Sequence, residues 1–179
     1  MRTFLITCGT SLERNAKAAG YSVDDAGLEK YFLSVEPRTS CAEASCLARL
    51  NFEPGDTAVL FCTATSTGGR CARVIHDGFP KHSGFEQPAG EIALREIPDL
   101  FGMGERFSDA HLEFGKLVKS EIEAARRKNA GLALCPIGGT KPMAMMMAAA
   151  AALAGVDVYY AREDTAELST LPVSQMANG

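Results

Sequence analysis

Three short stretches combine glycine with hydroxyl side chains: Gly9-Thr10-Ser11, the run Thr-Ala-Thr-Ser-Thr-Gly-Gly over 63–69, and Gly138-Gly139-Thr140-Lys141. Each follows an apolar run. Glycine lets a ligand approach the backbone, hydroxyls donate or accept, and the free N–H groups of a helix start attract anions. Pro142 suits a first helical turn, where its missing N–H costs nothing. Lys141 adds a full positive charge at that point. The residue types predict a phosphate site. Gly138 and Gly139 also suit a plain strand-to-helix turn, and Lys141 a solvated position. Neither Gly-x-Gly-x-x-Gly after the first apolar run nor Gly-x-x-x-x-Gly-Lys-Ser/Thr occurs, so dinucleotide and P-loop chemistry is not indicated.

The elements that must position these residues alternate in type. The spacing predicts strands at 3–9, 57–62, 91–97, 131–137 and 156–161, with a short edge strand within 166–173. Helices are expected over about 28–50, 70–79, 108–129 and 142–154. Ser108 is the expected N-cap of the third, with Asp109 in its first turn and Arg126, Arg127 and Lys128 at its negative end. Leu112, Leu117, Ile122 and Ala125 are placed on its buried side. The segment 80–90 reads as a loop, and Pro98 should close the preceding strand. Alternation of this kind predicts one Rossmann-like α/β domain over 1–179, a mostly parallel sheet with helices on both faces. Ligands of such sheets bind beyond the carboxyl ends of the strands, where all three stretches fall.

The chain has 179 residues, of which 46% are hydrophobic, and a net charge of −4. The charge argues against coating long nucleic acid but allows a small anion in a local pocket. Apolar runs are too short for a membrane span, and the amino terminus reads as a strand rather than a signal peptide. Six cysteines without a Cys-x-x-Cys pair or histidines at ligand spacing argue against zinc and for a reduced, cytoplasmic protein.

"LITCGTS" at 5–11, "TATSTGG" at 63–69 and "PIGGTKPMA" at 136–144 resemble the CARF domains of type III CRISPR systems. The similarity is to their small stand-alone members, the CRISPR ring nucleases. The resemblance implies a homodimer that binds a cyclic oligoadenylate across its two-fold axis, with cyclic tetra-adenylate as the expected ring. It also implies that the protein opens this messenger and switches off the signalling it drives. The family's serine falls on Ser11 and its lysine on Lys141, the two expected catalytic residues. Thr140 stands where many relatives carry an apolar side chain.

Such cleavage requires no metal and no cofactor, because the ribose 2′-OH is the nucleophile. The protein must align it with the leaving 5′-oxygen and stabilise charge on the phosphate. Lys141 and the N–H groups behind Gly139 suit the second task, and Ser11 the positioning of the 2′-OH or the phosphate. Gly9, Thr10, Thr65, Ser66, Gly138, Gly139 and Thr140 complete the expected ligand contacts. No histidine lies near these loops in sequence, so slow turnover is expected. A non-catalytic oligoadenylate sensor and an unrelated nucleotide- or sugar-phosphate-binding enzyme are the alternatives.

Other signals are weaker. Arg106 and His111 match the Arg-x4-His of HEPN ribonucleases, but in the wrong part of the chain. His76 and His82 are expected in solvent. The methionines at 143 and 145–147 are expected in core or dimer contacts. Arg70 and Arg73 suit a phosphate contact or a solvated helix face about equally.

Overall fold

A computed structural model describes residues 1–85, 90–97, 105–161 and 167–173. Its strands are β1 (Arg2–Thr7), β2 (Thr57–Thr63), β3 (Glu91–Ile97), β4 (Gly131–Cys135), β5 (Val158–Ala161) and β6 (Leu168–Leu171). They form one sheet in the order β3-β2-β1-β4-β5-β6. Every pairing is parallel except that of β5 with β6. The α-helices are α1 (Ser11–Ala18), α2 (Asp25–Ser34), α3 (Pro37–Ser40), α4 (Ala42–Arg49), α5 (Ser66–Gly78), α6 (Glu105–Arg127) and α7 (Lys141–Ala154).

The inner strands are apolar throughout because both faces of the sheet are covered. The period of two divides them. Phe4, Ile6, Leu60 and Cys135 pack with Leu12 of α1, Phe32 of α2, Leu47 of α4 and Ile75 of α5. Leu5, Val59, Phe61 and Leu134 pack on the other face with Phe114 and Val118 of α6 and Met143 and Met147 of α7. The fold is thus the expected Rossmann-like α/β sandwich.

All six cysteines are buried and unbridged. Burial, then the nearby Glu43 charge, raises Cys8 and Cys41 well above the ordinary thiol range. Burial pushes Cys62 and Cys71 up to about 11. A hydrogen bond with Cys46, then burial, raises Cys135.

At the amino ends of the strands, Arg2 is tied to Asp56 by a 2.6 Å ion pair. Its guanidinium also donates to the carbonyls of Leu50 and Asn51. Burial alone would raise the Asp56 carboxyl, but hydrogen bonds from Arg2 and from the Glu53 N–H outweigh it and leave the group below its usual range.

Several expectations need correction. Ser11–Ala18 is helical, although only Leu12 and Ala16 give it an apolar face. The stretch 28–50 is three helices rather than one or two, interrupted where Val35 and Cys41 are extended. α5 starts at Ser66, four residues before expected, because Thr65 caps it. α6 starts at Glu105, so Ser108 lies inside the helix and is not its N-cap. Its core residues step by four (Ala110, Phe114, Val118, Ile122), which leaves Leu112 58% exposed and Leu117 half-buried. Pro98 lies outside the described residues.

Candidate active site

The connections from β1 and β4 diverge. β1 leads into α1 on one face of the sheet, and β4 leads into α7 on the other. Adjacent parallel strands whose connections part in this way open a crevice at their carboxyl ends. A cleft of about 550 Å³ lies there. Gly9, Thr10 and Ser11 line it from the β1 side, Ile137, Gly138 and Gly139 from the β4 side, and Arg38, Cys41 and Ala42 from α3 and α4.

The two glycine loops touch backbone to backbone. A Cβ on Gly9 would lie 2.6 Å from the Gly139 nitrogen, and one on Gly138 would lie 2.7 Å from both the Gly9 nitrogen and the Thr7 oxygen. Gly139 has φ +75°, where a side chain is strained. The Gly138 N–H donates to Thr7 Oγ1 at 3.2 Å. Five of the nine expected site residues (Gly9, Thr10, Ser11, Gly138 and Gly139) therefore share one wall-to-wall site.

The other four do not line it. Thr140 is the N-cap of α7, its hydroxyl accepting from the Met143 N–H at 3.5 Å. Lys141 is the first residue of α7 and is exposed, but it is not among the residues lining the cleft. Thr65 and Ser66 stand at the carboxyl end of β2, next to β1 in the sheet, yet they line no part of the cleft. The Thr65 hydroxyl is engaged by Thr63 at 3.0 Å and by the Gly68 N–H at 3.2 Å.

The sequence reading missed Glu43. It is a fully buried carboxylate in the first turn of α4, where the helix dipole favours negative charge. Oε1 accepts from the Gly9 N–H at 2.8 Å and Oε2 from the Ser11 hydroxyl at 3.0 Å. Ser11 Oγ accepts in turn from the Ala42 N–H at 3.0 Å. A Cβ on Gly138 would approach Glu43 Oε1 to 2.4 Å. Glu43 thus meets both glycine loops from below. Its only sequence signal is an acid at the start of a helix whose other neighbours are small.

Two cations were missed as well. Arg14 on α1 and Arg38 on α3 line the cleft and are exposed, and among the described residues neither enters an ion pair. Arg70 and Arg73, by contrast, are engaged elsewhere. Arg70 donates to the Val23 carbonyl at 2.6 Å and pairs with Asp25 at 3.3 Å, and Arg73 pairs with Glu96 at 3.7 Å.

The remaining expectations divide. His76 is half-exposed and bonds Asp77 at 2.6 Å. His82 is not in solvent: it is 2% exposed and packs edge-on against Phe32 and Phe85, which its ring is large enough to bridge. Arg106 and His111 both fall within α6, on the far face of the sheet from Ser11. Met143 and Met147 are core, whereas Met145 is 72% exposed. No helix among the described residues is long and apolar enough to cross a membrane, and none of their His, Cys, Asp and Glu side chains form a group of three or more able to hold a metal ion.

No curated protein matches the chain. A family model does, over residues 38–174, a span that takes in Glu43, the 63–69 stretch and Gly138 to Lys141 but begins after Ser11. With three-quarters of its length inside that match and a glycine-lined cleft at the switch point of its sheet, the chain belongs to the family described as CRISPR-associated protein (Cas_APE2256).

Proposed function

We propose that the protein is a CARF-type ring nuclease that linearises cyclic tetra-adenylate without a metal or cofactor, by 2′-OH attack giving 2′,3′-cyclic phosphate ends. The observation that carries this reading is the cleft where the Gly9–Ser11 loop and the Gly138–Gly139 loop meet, rimmed by Arg14 and Arg38. Bare backbone on two sides admits a bulky phosphodiester, and the exposed guanidiniums of Arg14 and Arg38 suit its phosphates in a bidentate manner. Lys141 reaches the scissile phosphate from the head of α7 and offsets the charge that builds in the transition state. Membership of a CRISPR-associated family supports a messenger of that defence system as the ligand.

The working unit is a cytoplasmic homodimer, since a ring of four identical nucleotides matches two identical half-sites. Purified protein incubated with cyclic tetra-adenylate in EDTA should yield linear products with cyclic phosphate ends. An intact ring after long incubation with excess protein would remove the catalytic reading.

One observation favours a second reading, an oligoadenylate sensor that binds without cleaving. Lys141 is not among the residues that line the cleft. Tight binding of an uncleaved ring, indifferent to Lys141→Ala, is the result that would favour it.

A further inference from the structure

A serine hydroxyl has one proton and two lone pairs. Ser11 directs its proton to Glu43 Oε2 and gives one lone pair to the Ala42 N–H, both at 3.0 Å. One lone pair remains for the cleft that Ser11 lines. A lone pair repels a phosphate oxygen and accepts from a hydroxyl. Of the two tasks open to Ser11, this valence selects contact with the ribose 2′-OH.

Behind Ser11 stands a carboxylate at 0% exposure, with no cation paired to it among the described residues. Its Oε1 is held by the Gly9 N–H at 2.8 Å, which fixes the direction of Oε2 toward Ser11. The titratable groups that face it are Cys8 at the end of β1, Cys41 ahead of α4 and Cys71 on α5. Burial raises all three thiols, so they are neutral near pH 7 and do not compete for its proton. Among the described residues two side chains link this carboxylate to the cleft, the Cys41 thiol and the Ser11 hydroxyl, and with the thiol held neutral by burial it is the hydroxyl that offers the cleft an oxygen lone pair.

We infer that Glu43 is the proton acceptor of the cleft and that it works through Ser11. The inference rests on the ring-opening reading above and supplies the base which that reading lacks. As the 2′-oxygen bonds to phosphorus, its proton passes to Ser11 Oγ and the Ser11 proton passes to Glu43 Oε2. The bond from phosphorus to the 5′-oxygen breaks, and that oxygen takes a proton from water. Glu43 touches no ligand atom. It is a positioning residue whose charge state sets whether Ser11 can accept.

The test is the pH dependence of single-turnover cleavage of cyclic tetra-adenylate in EDTA, read beside equilibrium binding of the same ring. In the natural protein the rate should fall tenfold per pH unit on the acid side of the profile. Glu43→Gln should lose that acid limb and at least a hundredfold in rate, with binding changed less than threefold. Ser11→Ala, which leaves the Glu43 bond to Gly9 in place, should lose the limb too, and Glu43→Asp should restore it. A flat acid side in the natural protein overturns the inference whatever the variants do, as does an acid limb that survives Ser11→Ala. Equal losses of binding and cleavage in Glu43→Gln would overturn it in favour of a purely structural tie. In all these cases the ring is still cleaved, so ring opening itself stands. Absence of any cleavage by the natural protein would overturn both.

Discussion

Gly138 is the tightest position in the cleft. A methyl group there meets a carboxylate oxygen at 2.4 Å and two backbone atoms at 2.7 Å, and backbone cannot swing aside. Gly138→Ala should therefore lower stability by about 1–3 kcal/mol, as overpacking does. At this chain length that is a fall in Tm of roughly 3–10 °C, checked by thermal melting. Lys141→Ala tests the opposite property, charge rather than space. It should slow single-turnover cleavage by at least about a hundredfold if the lysine supplies ~3 kcal/mol to the transition state. An unchanged rate would remove Lys141 from the mechanism. Residue chemistry of this sort was half legible in the sequence. Glycine and serine at strand ends mark a crevice wherever the fold places them. Arg14 and Arg38 line that crevice from α1 and α3, Glu43 backs it from α4 through Gly9 and Ser11, and no local spacing reports which loops those helices lie against.

The elements show the same division. Inner strands and the long amphipathic helix are readable because burial on both faces, or on one stripe, imposes its period on the residues. Short helices are not: α1 and α4 have eight residues each, and tertiary contacts rather than propensity hold them. Capping is a measurable part of that hold. The Thr65 hydroxyl accepts the Gly68 N–H and starts α5 where the sequence pattern alone shows a loop. Thr65→Ala should destabilise the protein by about 1 kcal/mol, a Tm loss of a few degrees. No change in melting would mean that water caps the helix equally well.

Across the whole molecule the two ends of the sheet are built differently. Carboxyl ends carry open glycine loops, whereas amino ends are fastened by Arg2 and Asp56. The Asp56 carboxyl titrates below its unfolded value, so its contribution is full above the unfolded pKa and is lost as pH falls through the folded one. Asp56→Asn should accordingly lower Tm at neutral pH, with the gap to the natural protein narrowing in acid. A gap independent of pH would assign the tie to hydrogen bonding alone. Quaternary structure offers a second check at this scale. The proposed homodimer should sediment at twice the 19.0 kDa of one chain and bind one ring per two chains. One ring per single chain would refute a two-fold site.

The six unbridged thiols have a practical corollary. They sit on β1, β2, β4, α4 and α5 or next to them, so they sample the α1–α5 side of the sheet and leave α6 and α7 unmarked. With every sulfur shielded from solvent, an alkylating reagent should leave the native chain unmodified until some part of it opens. The order in which the sulfurs acquire label under mild denaturant would then record which of these inner strands and helices is uncovered first, with no foreign probe introduced.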